Sequence, residues 1–129
     1  MKYLCLIYSD EKMWSTMSKP EMDTMMSEYN QFSESIRGSG HYVAGEALQG
    51  TATGTTLRSR NGKLSTTDGP FAETKEQLGG FYLIEAKDLN DAIKVAQRIP
   101  GVKVGSIEIR PVVDFSKQSA VPKALAGQA

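Results

Sequence analysis

Asp68-Gly69-Pro70-Phe71-Ala72-Glu73-Thr74-Lys75-Glu76-Gln77-Leu78-Gly79-Gly80-Phe81-Tyr82-Leu83-Ile84-Glu85-Ala86 runs from a tight turn through a charged loop into an apolar run of strand length. Pro70 sets its own φ, Gly69 tolerates a positive φ, and the Asp68 carboxylate can cap neighbouring backbone N–H groups, so the segment opens on a fixed turn. Glu73, Lys75 and Glu76 then offer charges of both signs. From Gly80 to Ala86 both alternating faces are apolar, the pattern of a strand covered on both sides. Tyr3 to Tyr8 reads the same way. Helices of the same chain supply one cover, and a partner subunit is the natural second.

Outward from that strand, Ser18-Lys19-Pro20-Glu21 has the form of a capping box with proline in the first turn. Met22, Met25, Met26, Tyr29, Phe32 and Ile36 follow at helical spacing, which predicts a helix from about Lys19 to Arg37 and makes the methionine stripe core packing. Gly38-Ser39-Gly40 ends it, and Tyr42 to Leu48 reads as a strand with Gly45 as a bulge or a close backbone approach. Asn61-Gly62 between Thr56–Arg60 and Lys63–Thr66 signals a hairpin over about 55 to 67. Asp88 caps a second helix whose buried stripe is Leu89, Ala92, Ile93 and Ala96, stopped at Pro100-Gly101. Val104 to Arg110 is the last strand, with Ile107 and Ile109 on one face and Ser106, Glu108 and Arg110 on the other. The order β-α-β, inserted hairpin, β-α-β predicts an α+β, ferredoxin-like (split βαβ) subunit with an antiparallel sheet and both helices on one face. The apolar second face predicts a homodimer. The expected division is a domain over 1–115 and a polar tail over 116–129.

With 129 residues the chain fits one domain. Its 15 Lys+Arg balance 15 Asp+Glu, so no broad basic field attracts nucleic acid or an acidic membrane, and small molecules or proteins are the expected partners. Cys5 is the lone cysteine and lies in an apolar run, so it reads as a buried structural thiol in a reducing compartment. No segment reads as a signal peptide or reaches membrane-spanning length, and a cytoplasmic protein is expected. One histidine and one cysteine make no ligand-spaced cluster, so no metal is expected. No Gly-rich loop opens a helix after a strand, so no nucleotide cofactor is expected either.

The quoted turn, together with Gly45-Glu46-Ala47-Leu48, Glu73-Thr74-Lys75-Glu76-Gln77-Leu78-Gly79-Gly80 and Glu108-Ile109-Arg110-Pro111, resembles the YCII-related superfamily and specifically its DGPF branch, named for the tetrapeptide present as Asp68-Gly69-Pro70-Phe71. The resemblance implies a dimeric α/β barrel of ferredoxin-like subunits and a link to extracytoplasmic-function sigma factors. It also implies, from the wider superfamily, a His–Asp acid–base pair and a dehydrochlorinase acting on a chlorinated muconate-type acid. This chain departs from that pair: the first helix holds no histidine, and Tyr29 stands in roughly that region.

His41, the only imidazole, is a candidate general base or a strand-edge residue without function. Asp68 orients a base, accepts a proton or caps the turn. Glu73, Lys75 and Glu76 form a polar site wall or a solvated surface. Glu46, in a strand otherwise rich in Val and Ala, needs a cation, and Arg110 is the expected partner, as anion binder or as half of a structural pair. The expected pocket is bounded by Asp68, Phe71, Glu73, Lys75, Glu46 and Arg110 and reached by Tyr29, with a small acidic ligand held by Lys75 or Arg110. Two functions follow. One is a small-molecule enzyme with acid–base, lyase or isomerase chemistry on a small organic acid, Asp68 or Glu46 being the base. The alternative is a non-catalytic ligand-binding or partner-binding module acting with a sigma factor.

Overall fold

The computed structural model describes residues 1–116, so the tail expected over 116–129 lies, apart from Ser116, outside the described residues. The strands are β1 (Lys2–Ser9), β2 (Tyr42–Ala47), β3 (Thr55–Arg60), β4 (Lys63–Asp68), β5 (Gln77–Glu85) and β6 (Ser106–Pro111); the helices are α1 (Glu11–Thr16), α2 (Lys19–Gly38) and α3 (Leu89–Ala96). Four strands form one sheet in the order β2-β5-β1-β6 with every pairing antiparallel, and β3 and β4 form a separate two-stranded sheet. This is an α+β architecture, and its interleaved order is consistent with the split βαβ reading, β1-α2-β2 and β5-α3-β6 being the two units. Among the described residues no helix is long and apolar enough to cross a membrane.

Local chemistry places these elements where the sequence puts them. Ser18 Oγ accepts the Glu21 N–H at 3.3 Å while Glu21 Oε1 accepts the Ser18 N–H at 3.2 Å, which closes the capping box that starts α2. Gly40, at φ +81°, ends it in the left-handed region, letting the His41 N–H turn back to the Ile36 carbonyl at 3.0 Å. Asn61 and Gly62, at φ 54° and 76°, make the turn between β3 and β4.

Alternation along the strands divides the sheet into two unlike faces. Tyr3, Cys5, Tyr82 and Ile84 point to the helix side and join Phe32 and Ile36 of α2 and Ala92, Val95 and Ala96 of α3 in one core, so both helices cover the same face. Cys5 is fully buried, and burial pushes its thiol up to about 11, which leaves it protonated and inert. By register, Leu4 and Leu6 of β1 and Phe81 and Leu83 of β5 share the opposite face, where each is only partly buried and neither α2 nor α3 packs.

Several expectations are corrected. Residues 11–16, for which the sequence suggested no element, form α1, because Asp10 Oδ1 accepts the Lys12 N–H at 3.0 Å and caps a short helix. In α3, Leu89 and Ile93 are 50 % and 42 % exposed and Val95 takes their place in the core; with only eight residues, the helix aims a different stripe inward. The last strand starts two residues later than expected, since a 3₁₀ turn over Pro100–Lys103 uses the preceding chain. The methionine stripe is not core: Met26 is 53 % exposed, and Met22 and Met25 are only partly buried.

Ile84 is fully buried at the centre of the core. Ile84→Ala should lower the free energy of unfolding by about 2–5 kcal/mol, read as a lower urea midpoint with an unchanged slope.

Candidate functional site

The helix-side face of the sheet is not filled along its whole length. Between α2, from Met22 to Arg37, α1 and the ends of β2 and β5 lies a cleft of about 680 Å³. Its floor is bare because two strand positions are glycine. A Cβ on Gly45 would stand 2.9 Å from the Tyr82 ring, and one on Gly80 would stand 2.8 Å from the Glu46 carbonyl oxygen, so the strands come too close there for any side chain. Gly45 is thus the expected close approach, whereas the break in the β2 register lies between Tyr42 and Ala44. Neither Gly79 nor Gly80 has a positive φ, so backbone freedom is not what they supply.

Met22, Met25 and Tyr29 of α2 wall one side, and α1 closes one end. That helix is held on three elements: Trp14 Nε1 donates to Ser9 Oγ at 2.8 Å, the Glu11 N–H donates to Gln77 Oε1 at 2.9 Å, and the Glu11 carboxylate accepts from the Thr51 N–H and hydroxyl at 2.7 and 2.8 Å. The Glu11 carboxylate is therefore already engaged.

The remaining polar groups of the cleft include hydroxyls, the Asn30 and Gln49 amides and one cation. Ser33 Oγ and Tyr82 Oη are 2.7 Å apart. Burial raises the Tyr82 phenol above its ordinary value, and burial pushes Tyr29 up to about 12 despite a hydrogen bond from the Gly101 backbone. Both phenols are protonated at neutral pH, so they are donors and not bases. Arg37 lies with its guanidinium carbon 4.4 Å from the centroid of the Tyr42 ring, and among the lining residues it is the only Lys or Arg.

Of the residues singled out in the sequence, Tyr29 lines this cleft, and Glu46 does so at its edge, where its backbone meets Gly80. By register the Glu46 side chain shares the open sheet face with Phe81. Arg110 also lies on that face, but on β6, three strands from β2 or about 14 Å at the usual spacing. Its Nε donates to Glu108 at 2.9 Å, which replaces the expected pairing with Glu46. Asp68 ends β4, and among the described residues its carboxylate makes no hydrogen bond; the turn is held by its neighbours, with the Gly69 N–H on the Gly54 carbonyl at 2.7 Å and Gly69 at φ +102°. The loop folds back onto the hairpin, where Arg58 donates to the Phe71 carbonyl at 2.8 Å. It leaves the Phe71 ring 76 % exposed, and Glu73 and Lys75 are exposed as well. A single chain therefore does not gather these loop residues with Glu46 and Arg110. His41 stands outside the cleft, between Ser39 and Asp91. Trp14, Ser33, Arg37 and Tyr82 were missed as site residues; the isolated glycines within two strands were the signal that pointed to the place.

Residues 1–116 match the YCII-related domain. The chain is also similar to an uncharacterised protein of Rhizobium meliloti (strain 1021), 37 % identical over 114 residues, which cover 87 % of this chain and 92 % of that protein.

Tyr29 and Cys5 bind their protons more tightly in the folded chain, where they titrate near 12 and 11, than in the unfolded one, where values near 10.0 and 9.0 apply. Stability from these groups is complete below the unfolded values and is lost as pH rises through the folded ones. Chemical denaturation should show a loss of stability across pH 9 to 12, and Tyr29→Phe should reduce the part of that loss above pH 10, to which Cys5 and the raised Tyr82 phenol also contribute.

Proposed function

This chain belongs to the YCII-related family, and we propose that it binds small organic acids with an apolar body in the cleft beneath α2. The observation that carries this reading is the composition of the cleft: thioether and aromatic walls, two protonated phenols and one cation, Arg37, with its own carboxylate at Glu11 already engaged. Such a lining favours an apolar ligand with one anionic end, whose oxygens accept from Arg37 and the phenols. Inside the cleft neither a free carboxylate nor an imidazole is placed to take a proton, which favours binding over acid–base turnover at this position.

On this reading the chain works as a homodimer. Leu4, Leu6, Phe81 and Leu83 form an apolar patch on the open sheet face, and two such faces packed together make the dimeric α/β barrel of ferredoxin-like subunits. A catalytic reading is favoured by one observation: the Glu46 carboxylate, on that open face, has no hydrogen bond or ion pair among the described residues. In a dimer it would face the partner's sheet, and lyase or isomerase chemistry with Glu46 or Asp68 as base, and with Phe71, Glu73, Lys75 or Arg110 around it, belongs to that assembled state. A sigma-factor link rests on the resemblance alone.

An anionic aromatic dye, anilinonaphthalene sulfonate, tests the cleft. It should bind with enhanced fluorescence; Arg37→Met should weaken binding about tenfold, the loss of one charge-assisted contact, and Met25→Trp should block it by filling the wall. Dye that binds all three proteins equally is not in the cleft.

Light scattering at micromolar concentration should give twice 14.1 kDa, and Leu6→Glu should give 14.1 kDa. A wild-type monomer would remove both the barrel and the catalytic reading.

A further inference from the structure

Outside the cleft, His41 makes directed polar contacts through both of its ring nitrogens. Its Nδ1 lies 2.7 Å from Ser39 Oγ, and its Nε2 lies 3.3 and 3.2 Å from the two Asp91 carboxylate oxygens. Asp91 also accepts the Lys87 N–H at 3.0 Å, and that bond first and His41 second hold its carboxyl below the ordinary range, so it faces the ring as an anion. An anionic acceptor on Nε2 requires the proton of the neutral ring to sit there. Nδ1 is then an acceptor, and the Ser39 hydroxyl donates to it. A second acceptor for that hydroxyl, the Ile36 carbonyl, is farther away at 3.3 Å.

The three groups come from three anchored places. Ser39 caps the end of α2, and His41 leads into β2 with its carbonyl accepting the Glu85 N–H at 2.8 Å. Asp91 lies in the first turn of α3, its own N–H donated to Asp88 at 2.9 Å. The imidazole and the carboxylate are only 22 % and 25 % exposed, while Ser39 is open to solvent. A hydroxyl backed by an oriented base, itself oriented by a carboxylate, is the arrangement that makes a serine nucleophilic.

We propose that Ser39 is a nucleophilic site for activated acyl donors, aryl esters and thioesters, with His41 as its general base and Asp91 as the positioning residue. In the step, Ser39 Oγ bonds to the acyl carbon while the bond from that carbon to the leaving oxygen or sulfur breaks. The hydroxyl proton passes to His41 Nδ1 and from there to the leaving group, and nothing is oxidised or reduced. The turn also sets the limit of the reaction. The N–H groups of Ser39, Gly40 and His41 are committed to the carbonyls of Ser35, Arg37 and Ile36, so none is free to stabilise the oxyanion of a tetrahedral intermediate. Since one such donor is worth about 10²–10³ in rate, acylation is slow and the acyl group stays on Ser39 as a modification with little turnover.

The full chain incubated with p-nitrophenyl acetate tests this independently of the cleft. The expected result is a burst of one equivalent of p-nitrophenolate per chain, one added acetyl mass, and its location on the peptide holding Ser39. Ser39→Ala should abolish the burst, and His41→Gln should slow it by about 10² or more. Asp91→Asn should slow it at an unchanged urea midpoint, a separation that a helix-capping role alone would not give. Ser39→Cys keeps a nucleophile at the same place and should still be acylated there, which guards against a misfolded alanine variant. Acetyl confined to lysines and the N-terminus, or a Ser39 label whose rate is indifferent to His41→Gln, overturns the proposal.

Discussion

Tyr82 is the contact on which the rest of the molecule turns. Its ring sits edge-on to Phe32 at 5.1 Å and to Tyr42 at 6.4 Å, lies against the bare backbone of Gly45, and sends its hydroxyl to Ser33. Central strand, edge strand and long helix are thereby fixed to one another by a single side chain. Aromatic pairs of this geometry contribute about 0.5–1.5 kcal/mol each beyond their buried area, and the hydroxyl keeps a partner while the ring is desolvated. Because nothing larger than hydrogen fits at Gly45, the ring reaches the sheet surface, and the space beyond it over Gly80 stays open. Core and cleft are two sides of the same residue.

What was legible in the sequence was what neighbouring residues decide. Ser18 and Glu21 announce the start of α2 because both halves of the capping box lie three positions apart, and Asn61-Gly62 announces its hairpin because two positive φ values suit those two residues. The strand order followed from two β-α-β units in sequence. The helix α1 was not legible, since six residues hold a helix only where Gln77, Thr51 and Ser9 meet it, and those contacts span 66, 40 and 5 positions. The stripe of α3 failed for a related reason: eight residues give too few repeats to say which of two apolar faces turns inward.

The site was less legible than the fold, because charge density drew attention to residues 68–76 while the cleft is made from hydroxyls, thioethers and missing side chains. Methionines at helical spacing look alike whether they meet a core or a hollow; only the glycines across from them decide, and these lie on other strands. Likewise His41 reads as an isolated imidazole in sequence. Asp91 comes to it across 50 positions, when α3 docks on the same sheet face as α2.

The two ends of β1 and β5 show how one irregularity serves the cleft. Ile7 pairs with Gly80 and Tyr8 with Leu78, so Gly79 is an extra residue on β5 without a partner on β1. Without it, strict alternation would carry Gln77 to the open face of the sheet. The bulge shifts the alternation by one, so that Ser9 and Gln77 pair and both look toward the helices. There Ser9 takes the Trp14 indole N–H and Gln77 takes the Glu11 N–H, the two bonds that seat α1 across the end of the cleft. A Cβ on Gly79 would meet only the Ile7 carbonyl oxygen, at an ordinary 3.9 Å, so the bulge takes a glycine without requiring one. The side chains that close the cleft are thus aimed by an unpaired residue, while the bare floor is set by the close approaches at Gly45 and Gly80.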